Sequence, residues 1–164
     1  MNIIKSKLED LGWSDEFRQF LKSNHVHYKE SAVDDLVILF NNYNDTFISK
    51  VNTLMRSVVI SKNNKKIVSY SCSSPIENDD GLNLVVRYNT KSIQPLITEC
   101  YEGSFMALFN YNNTWHLTTR KCLDNSESSE KNHFEMFHQV LEKDGYSFDS
   151  FCEKLNPKLS YYFI

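Results

Sequence analysis

The stretch Glu99-Cys100-Tyr101-Glu102-Gly103-Ser104 brings two carboxylates, a thiol and a Gly-Ser turn close together. Paired carboxylates such as Glu99 and Glu102 can do acid–base or metal chemistry, although a polar strand end needs no function. A thiol with an ordinary pKa of about 8.5 is mostly protonated at neutral pH, so Cys100 acts as a nucleophile only beside a base. His116 is the histidine nearest at hand, but its strand parity does not aim it at Cys100. Downstream, Arg120 and Lys121 follow a run that reads as the second strand of a hairpin. With the turn centred on Asn112-Asn113, Asn110 faces Trp115 and Phe105 faces Arg120, which sets Arg120 beside Gly103. An arginine and a lysine next to a Gly-Ser turn can hold a phosphate.

The other chemistry-bearing residues point to less. His25 and His27 share a strand face in an alternating reading and could meet a metal, or be ordinary solvated side chains. His133 and His138 are not at the i, i+4 spacing that one helix face requires, and there is no HExxH pattern. The four cysteines (Cys72, Cys100, Cys122, Cys152) include no CxxC pair and read as reduced thiols, mostly small buried hydrophobes. Four glycines in the whole chain leave no room for a P-loop or a dinucleotide fingerprint. Lys62, Lys65 and Lys66 around Asn63-Asn64 read as a solvated hairpin tip. A net charge of -3 and a pI near 5.9 argue against non-specific RNA binding as the main task, while leaving space for a local basic groove.

These groups need a scaffold, and the 164 residues suffice for one domain with its own core, residues 1–24 forming a helical segment and 25–164 an α+β body. Ser6 and Glu9 have capping-box spacing for a first helix ending near Gly12. Ser14 caps a second helix with Phe17, Phe20 and Leu21 on one face. Strands are expected at 25–28, 36–40, 57–60, 67–72 and 82–88, then in the hairpin of 105–110 against 115–120. Helices follow at about 132–143, with Gly145 as the stop, and at 149–155. The apolar run Leu159 to Ile164 reads as a strand buried on both faces, pairing with an earlier strand or, as we expect, with neighbours beyond residue 164. The fold class is therefore α+β, a mostly antiparallel sheet flanked by helices. No apolar run approaches the roughly 18 residues of a membrane span, and the start of the chain has no signal-peptide h-region, so a cytoplasmic or virion-interior setting with no membrane partner is expected.

The segment Glu99-Cys100-Tyr101-Glu102-Gly103-Ser104-Phe105, its hairpin and Thr118-Thr119-Arg120-Lys121 resemble the RNA-ligase-like nucleotidyltransferases, both the phage-type RNA ligases and ligase-like proteins of large DNA viruses. Upstream, Met55 to Ile60 with Ile67 to Tyr70 is similar to the arginine-bearing strand pair of those ligases, and Leu159 to Ile164 to their later strand. The resemblance runs from about Leu36 to the last residue. It implies the front part of a nucleotidyltransferase domain of the ATP-grasp-like ligase type, with ATP and magnesium as cofactors and an RNA end or nucleotide as ligand. It also implies a phosphate site at Arg56, Glu99, Cys100, Glu102, Gly103, Ser104, Arg120 and Lys121.

The departures from that pattern bear on chemistry. Where the family places its nucleophilic lysine, this chain has Cys100; the stretch Ser73 to Asn78 lacks the family's lysine and aromatics; the downstream carboxylate motif and final lysine pair would lie past Ile164. Two functions of different class follow: a degenerate or partial nucleotidyltransferase that binds a nucleotide or RNA end without a covalent intermediate, or a non-catalytic interaction module whose C-terminal strand, 159–164, accepts a protein partner. An intact RNA ligase or capping-type enzyme is the third.

Overall fold

Apolar runs that cannot be satisfied by one layer of helices set the architecture. A computed structural model describes residues 1–42, 49–76, 78–89, 99, 102–123 and 131–164. Helices α1 (Asn2–Leu11) and α2 (Asp15–Ser23) precede strands β1 (His27–Glu30) and β2 (Leu36–Phe40). A short helix α3 (Lys50–Leu54) leads to the hairpin β3 (Val58–Ser61) and β4 (Lys66–Tyr70), and then to helix α4 (Asn78–Asn89). The second half comprises β5 (Met106–Tyr111), β6 (Thr114–Thr119), α5 (Lys131–Lys143), α6 (Phe148–Cys152) and β7 (Ser160–Phe163). Two antiparallel sheets result, ordered β1-β2-β3-β4 and β6-β5-β7, so the chain is α+β as expected.

Strand β2 explains the layering. All five of its residues are buried, because each of its faces meets a different core. Val37 and Leu39 join Ile4, Leu8, Phe17 and Leu21 of α1 and α2. Leu36, Ile38 and Phe40 point the other way, with Val59, onto Phe109 of β5. The second sheet repeats the device. Phe109 faces the first sheet, while Met106, Leu108 and Leu117 pack on Phe134, Phe137, Phe151 and Cys152 of α5 and α6. The order of layers is helix, sheet, sheet, helix.

Polar clamps hold the sheets together at both ends of β2. At one end the Tyr111 hydroxyl lies 3.2 Å from Asp35 Oδ2 and 2.9 Å from Ser61 Oγ, and accepts from Asn64 Nδ2 at 2.7 Å. Burial alone would raise the Asp35 pKa, but donors from Ser61, the Asn63 amide and Tyr111 outweigh it and lower the pKa. At the other end Arg120 Nη1 donates to the Asn41 carbonyl at 3.0 Å.

Several expectations need correction. Residues 82–88 are helical: Leu82, Val85 and Val86 satisfy i, i+3, i+4 as well as Leu82, Leu84 and Val86 satisfy alternation, and Asp79 and Asp80 favour a helix N-terminus. His25 has a positive φ of 53° and precedes β1, so it shares no strand face with His27. Helix α1 starts at Asn2, four residues before Ser6, so Ser6 caps nothing; Ser14 does cap α2, accepting from Phe17 N at 3.2 Å. The last strand pairs with β5, from Met106↔Phe163 to Phe109↔Ser160, and is a half-exposed edge rather than a central strand.

Candidate functional site

The hairpin register builds the site. Asn112 and Asn113 both take left-handed φ, 51° and 63°, which a tight two-residue turn needs. That turn fixes Asn110↔Trp115 and Met106↔Thr119 as partners, so residues 103–105 and 120–121 leave the sheet side by side. The Thr119 hydroxyl then folds the exit, accepting from Lys121 N at 3.4 Å and Cys122 N at 3.1 Å. Ser104, Phe105, Thr119, Arg120 and Lys121, with His133 from the first turn of α5, line a cavity of about 300 Å³.

Both cations are held in place. Arg120 Nη1 contacts the Asn41 carbonyl (3.0 Å) and Oδ1 (3.3 Å). Asn41 is buried and itself anchored: its amide nitrogen Nδ2 donates to Asn52 O at 3.0 Å and Ser74 Oγ at 2.8 Å. Lys121 Nζ donates to Asn42 Oδ1 at 2.7 Å and lies 5.7 Å over the Phe40 ring. A guanidinium carries five donors in a rigid fork, so the Asn41 contacts orient Arg120 without exhausting what the group type can offer an anion.

An aromatic pile closes the side of the cavity. Phe105 stacks on Tyr162 of β7 at 5.8 Å, and the Arg56 guanidinium lies 5.7 Å over the Phe105 ring. The Tyr162 hydroxyl donates to Tyr70 O at 2.6 Å, tying β7 to β4. Among the described residues the buried Arg56 Nε meets no hydrogen-bond partner, while Nη1 sits 3.7 Å from Cys72 Sγ.

Of the residues singled out in the sequence, Ser104, Arg120 and Lys121 share the cavity, and Arg56 adjoins it through Phe105. Glu99, Glu102 and Gly103 are exposed and do not line it. Cys100 lies outside the described residues. The space left by the absent Cβ of Gly103 is taken by the chain itself, since a Cβ there would stand 2.9 Å from Ile164 Cγ2. Sequence reasoning missed Phe105, Thr119, His133 and the Asn41 brace; the alternation of β5 and β6 hinted at the first two, and nothing local marked the others. His116 stacks on Phe109 at 5.4 Å, away from the cavity. Burial lowers its pKa despite Asp34 Oδ2 at 3.8 Å, so at neutral pH that contact is not an ion pair.

The thiols are free at Cys72, Cys122 and Cys152. Burial pushes the Cys152 thiol up to about 11, leaving it an inert core group. Among the described residues no group of three or more His, Cys, Asp or Glu is arranged to hold a metal, and no helix is long and apolar enough to cross a membrane. No family model matches the chain, and neither a curated protein nor a solved structure matches it.

Proposed function

We propose that the chain is a degenerate or partial RNA-ligase-like domain that binds a nucleotide or an RNA 5′ end through its phosphates and forms no lysyl–nucleotidyl intermediate. The observation that carries this reading is the convergence of Ser104, Arg120, Lys121 and His133 on one cavity of about 300 Å³, at the joint of two antiparallel sheets. That volume lies at the small end of ligand sites. Two fixed cations and a hydroxyl suit a phosphate, and Phe105, between Arg56 and Tyr162, supplies an aromatic wall.

The donor set tests the expected cofactors. The lining fits the phosphates of ATP, and among the described residues it contains no carboxylate to serve as a magnesium ligand. The absence of a lysine at position 100 argues against the family's covalent step, because a cysteine there offers a thiol in place of an amine. A pseudoenzyme character is the reading consistent with a cysteine at that position.

Calorimetric titration of wild type and Arg120→Ala with ATP and magnesium tests the assignment. We expect saturable binding weakened at least about tenfold by the substitution, the effect of one lost charge-assisted contact. Equal affinities would remove the phosphate assignment.

A second reading has its own observation. Strand β7 is the edge of its sheet and leaves Tyr162 and Ile164 exposed, a surface on which a partner's strand could add. Complete lack of nucleotide and RNA binding would favour this interaction-module reading.

A further inference from the structure

The brace behind Arg120 leads out of the cavity to a segment with chemistry of its own. Residues 71–76 leave β4 and precede α4 without joining a helix or a strand, and Cys72, Ser73, Pro75 and Ile76 are exposed. Three serines of this stretch are tied in different ways. Ser71 Oγ donates to Ser57 O at 3.2 Å, and Ser73 Oγ lies 3.2 Å from the Tyr70 hydroxyl. Ser74 is half-buried; its amide donates to Thr53 O at 2.7 Å and its Oγ accepts from Asn41 Nδ2 at 2.8 Å. Asn41 in turn receives Arg120 Nη1 on its carbonyl at 3.0 Å and on Oδ1 at 3.3 Å. One buried residue therefore separates the Ser74 hydroxyl from the guanidinium in the cavity wall.

Ser74 is also the only serine or threonine of the chain that precedes a proline. Of the 3 prolines, Pro75 follows Ser74, Pro95 follows Gln94 and Pro157 follows Asn156. A proline at the next position disfavours the helical region for the serine, holds it extended and removes an amide donor. An extended serine followed by a tertiary amide, in a stretch whose neighbours are exposed, is what a proline-directed serine kinase takes into its cleft.

We propose that Ser74 is a phosphorylation site whose modification weakens anion binding at the Arg120 cavity. The kinase's base takes the hydroxyl proton and Oγ bonds to the γ-phosphorus of ATP. The bond from that phosphorus to the β–γ bridging oxygen breaks, and ADP leaves. The product adds a charge of about −1.5 to −2 and three strong acceptor oxygens beside Asn41. That group competes with Asn41 for Arg120 and repels the phosphates of an incoming nucleotide. The modification itself stands on the segment and its Ser-Pro pair; its effect on binding rests on the phosphate reading given above.

The test incubates the intact chain with a purified cyclin-dependent kinase and ATP and maps the phosphorylated peptides by mass spectrometry. The desalted product is then titrated with ATP by calorimetry. We expect one phosphoryl group, on Ser74, and an ATP affinity at least about tenfold below that of the unmodified chain. Phosphatase treatment should restore the affinity, which separates the switch from unfolding. Pro75→Ala, an exposed position outside the cavity lining, should abolish the phosphorylation and leave the ATP affinity of the unmodified chain unchanged. Ser74 left unmodified while a Ser-Pro control peptide is phosphorylated would overturn the site. Ser74 phosphorylated with ATP affinity unchanged would overturn the switch and leave the phosphate cavity standing. An unmodified chain that binds no ATP would overturn the phosphate reading and the switch with it.

Discussion

Arg120 does two things at once. Its Nη1 braces the second sheet against Asn41 of the first, and its guanidinium forms part of the wall of the cavity. Arg120→Lys separates the roles: a lysine keeps the charge but not the planar fork, so we expect phosphate affinity to fall by several-fold and the melting temperature to drop by a few degrees. Calorimetry and thermal melting check the two halves of that prediction. His116 offers a second test at this scale. Burial holds it neutral in the fold, whereas the unfolded chain takes up a proton near pH 6.5, so acid favours unfolding. Its contribution is present above about pH 6.5 and is lost as pH falls toward the depressed folded value. In His116→Gln this step should disappear from a series of denaturant melts across pH. The place of Arg120 was legible in the sequence because a two-residue Asn-Asn turn permits one register, and the register dictates every facing pair. His133 was not legible, since a helix residue reaches the strand ends only through packing.

Among the elements, the β5–β6 hairpin bears most of the positioning. Phe109, only 1 % exposed, is the second sheet's buried contribution to the core between the sheets. Phe109→Ala should cost about 3–5 kcal/mol in a urea titration, the usual range for a buried phenylalanine. Tyr111→Phe deletes the hydroxyl among Asp35, Ser61 and Asn64 and should cost about 1 kcal/mol, with little change in the slope of the titration. This hairpin announced itself through clean alternation and its turn residues. Helix α4 did not, because Leu-Asn-Leu-Val-Val fits both periods, and only the acidic first turn of Asp79 and Asp80 favours the helix. The last strand misled in a related way: Tyr161 to Ile164 is uniformly apolar, yet an edge position uses those rings for contacts with Phe105, Trp115 and Phe137 rather than for burial on both faces.

For the whole molecule, the two-sheet arrangement makes the site a property of the joint between layers. The cavity lies where β5 and β6 end, its arginine is braced on the residue that follows β2, and Tyr162 clamps β7 to β4. The clamp at the far end is acid-sensitive as well. Asp35 has a lowered pKa, so its contribution persists above about pH 3.9 and fades as pH falls below that, giving a second loss of stability beneath the one from His116. α+β character and antiparallel pairing could be read from strand-like runs flanked by amphipathic helices. The division into two sheets could not, because a run such as Leu36 to Phe40 shows that both faces are covered but not by what. The central claim is that this joint binds a nucleotide's phosphates and stops there. Its most direct test is the intact mass of the chain after incubation with magnesium and saturating ATP or GTP: an unchanged mass, under conditions where titration shows the nucleotide bound, is the predicted result, and a stable gain of one nucleotidyl group on a lysine such as Lys121 would contradict it.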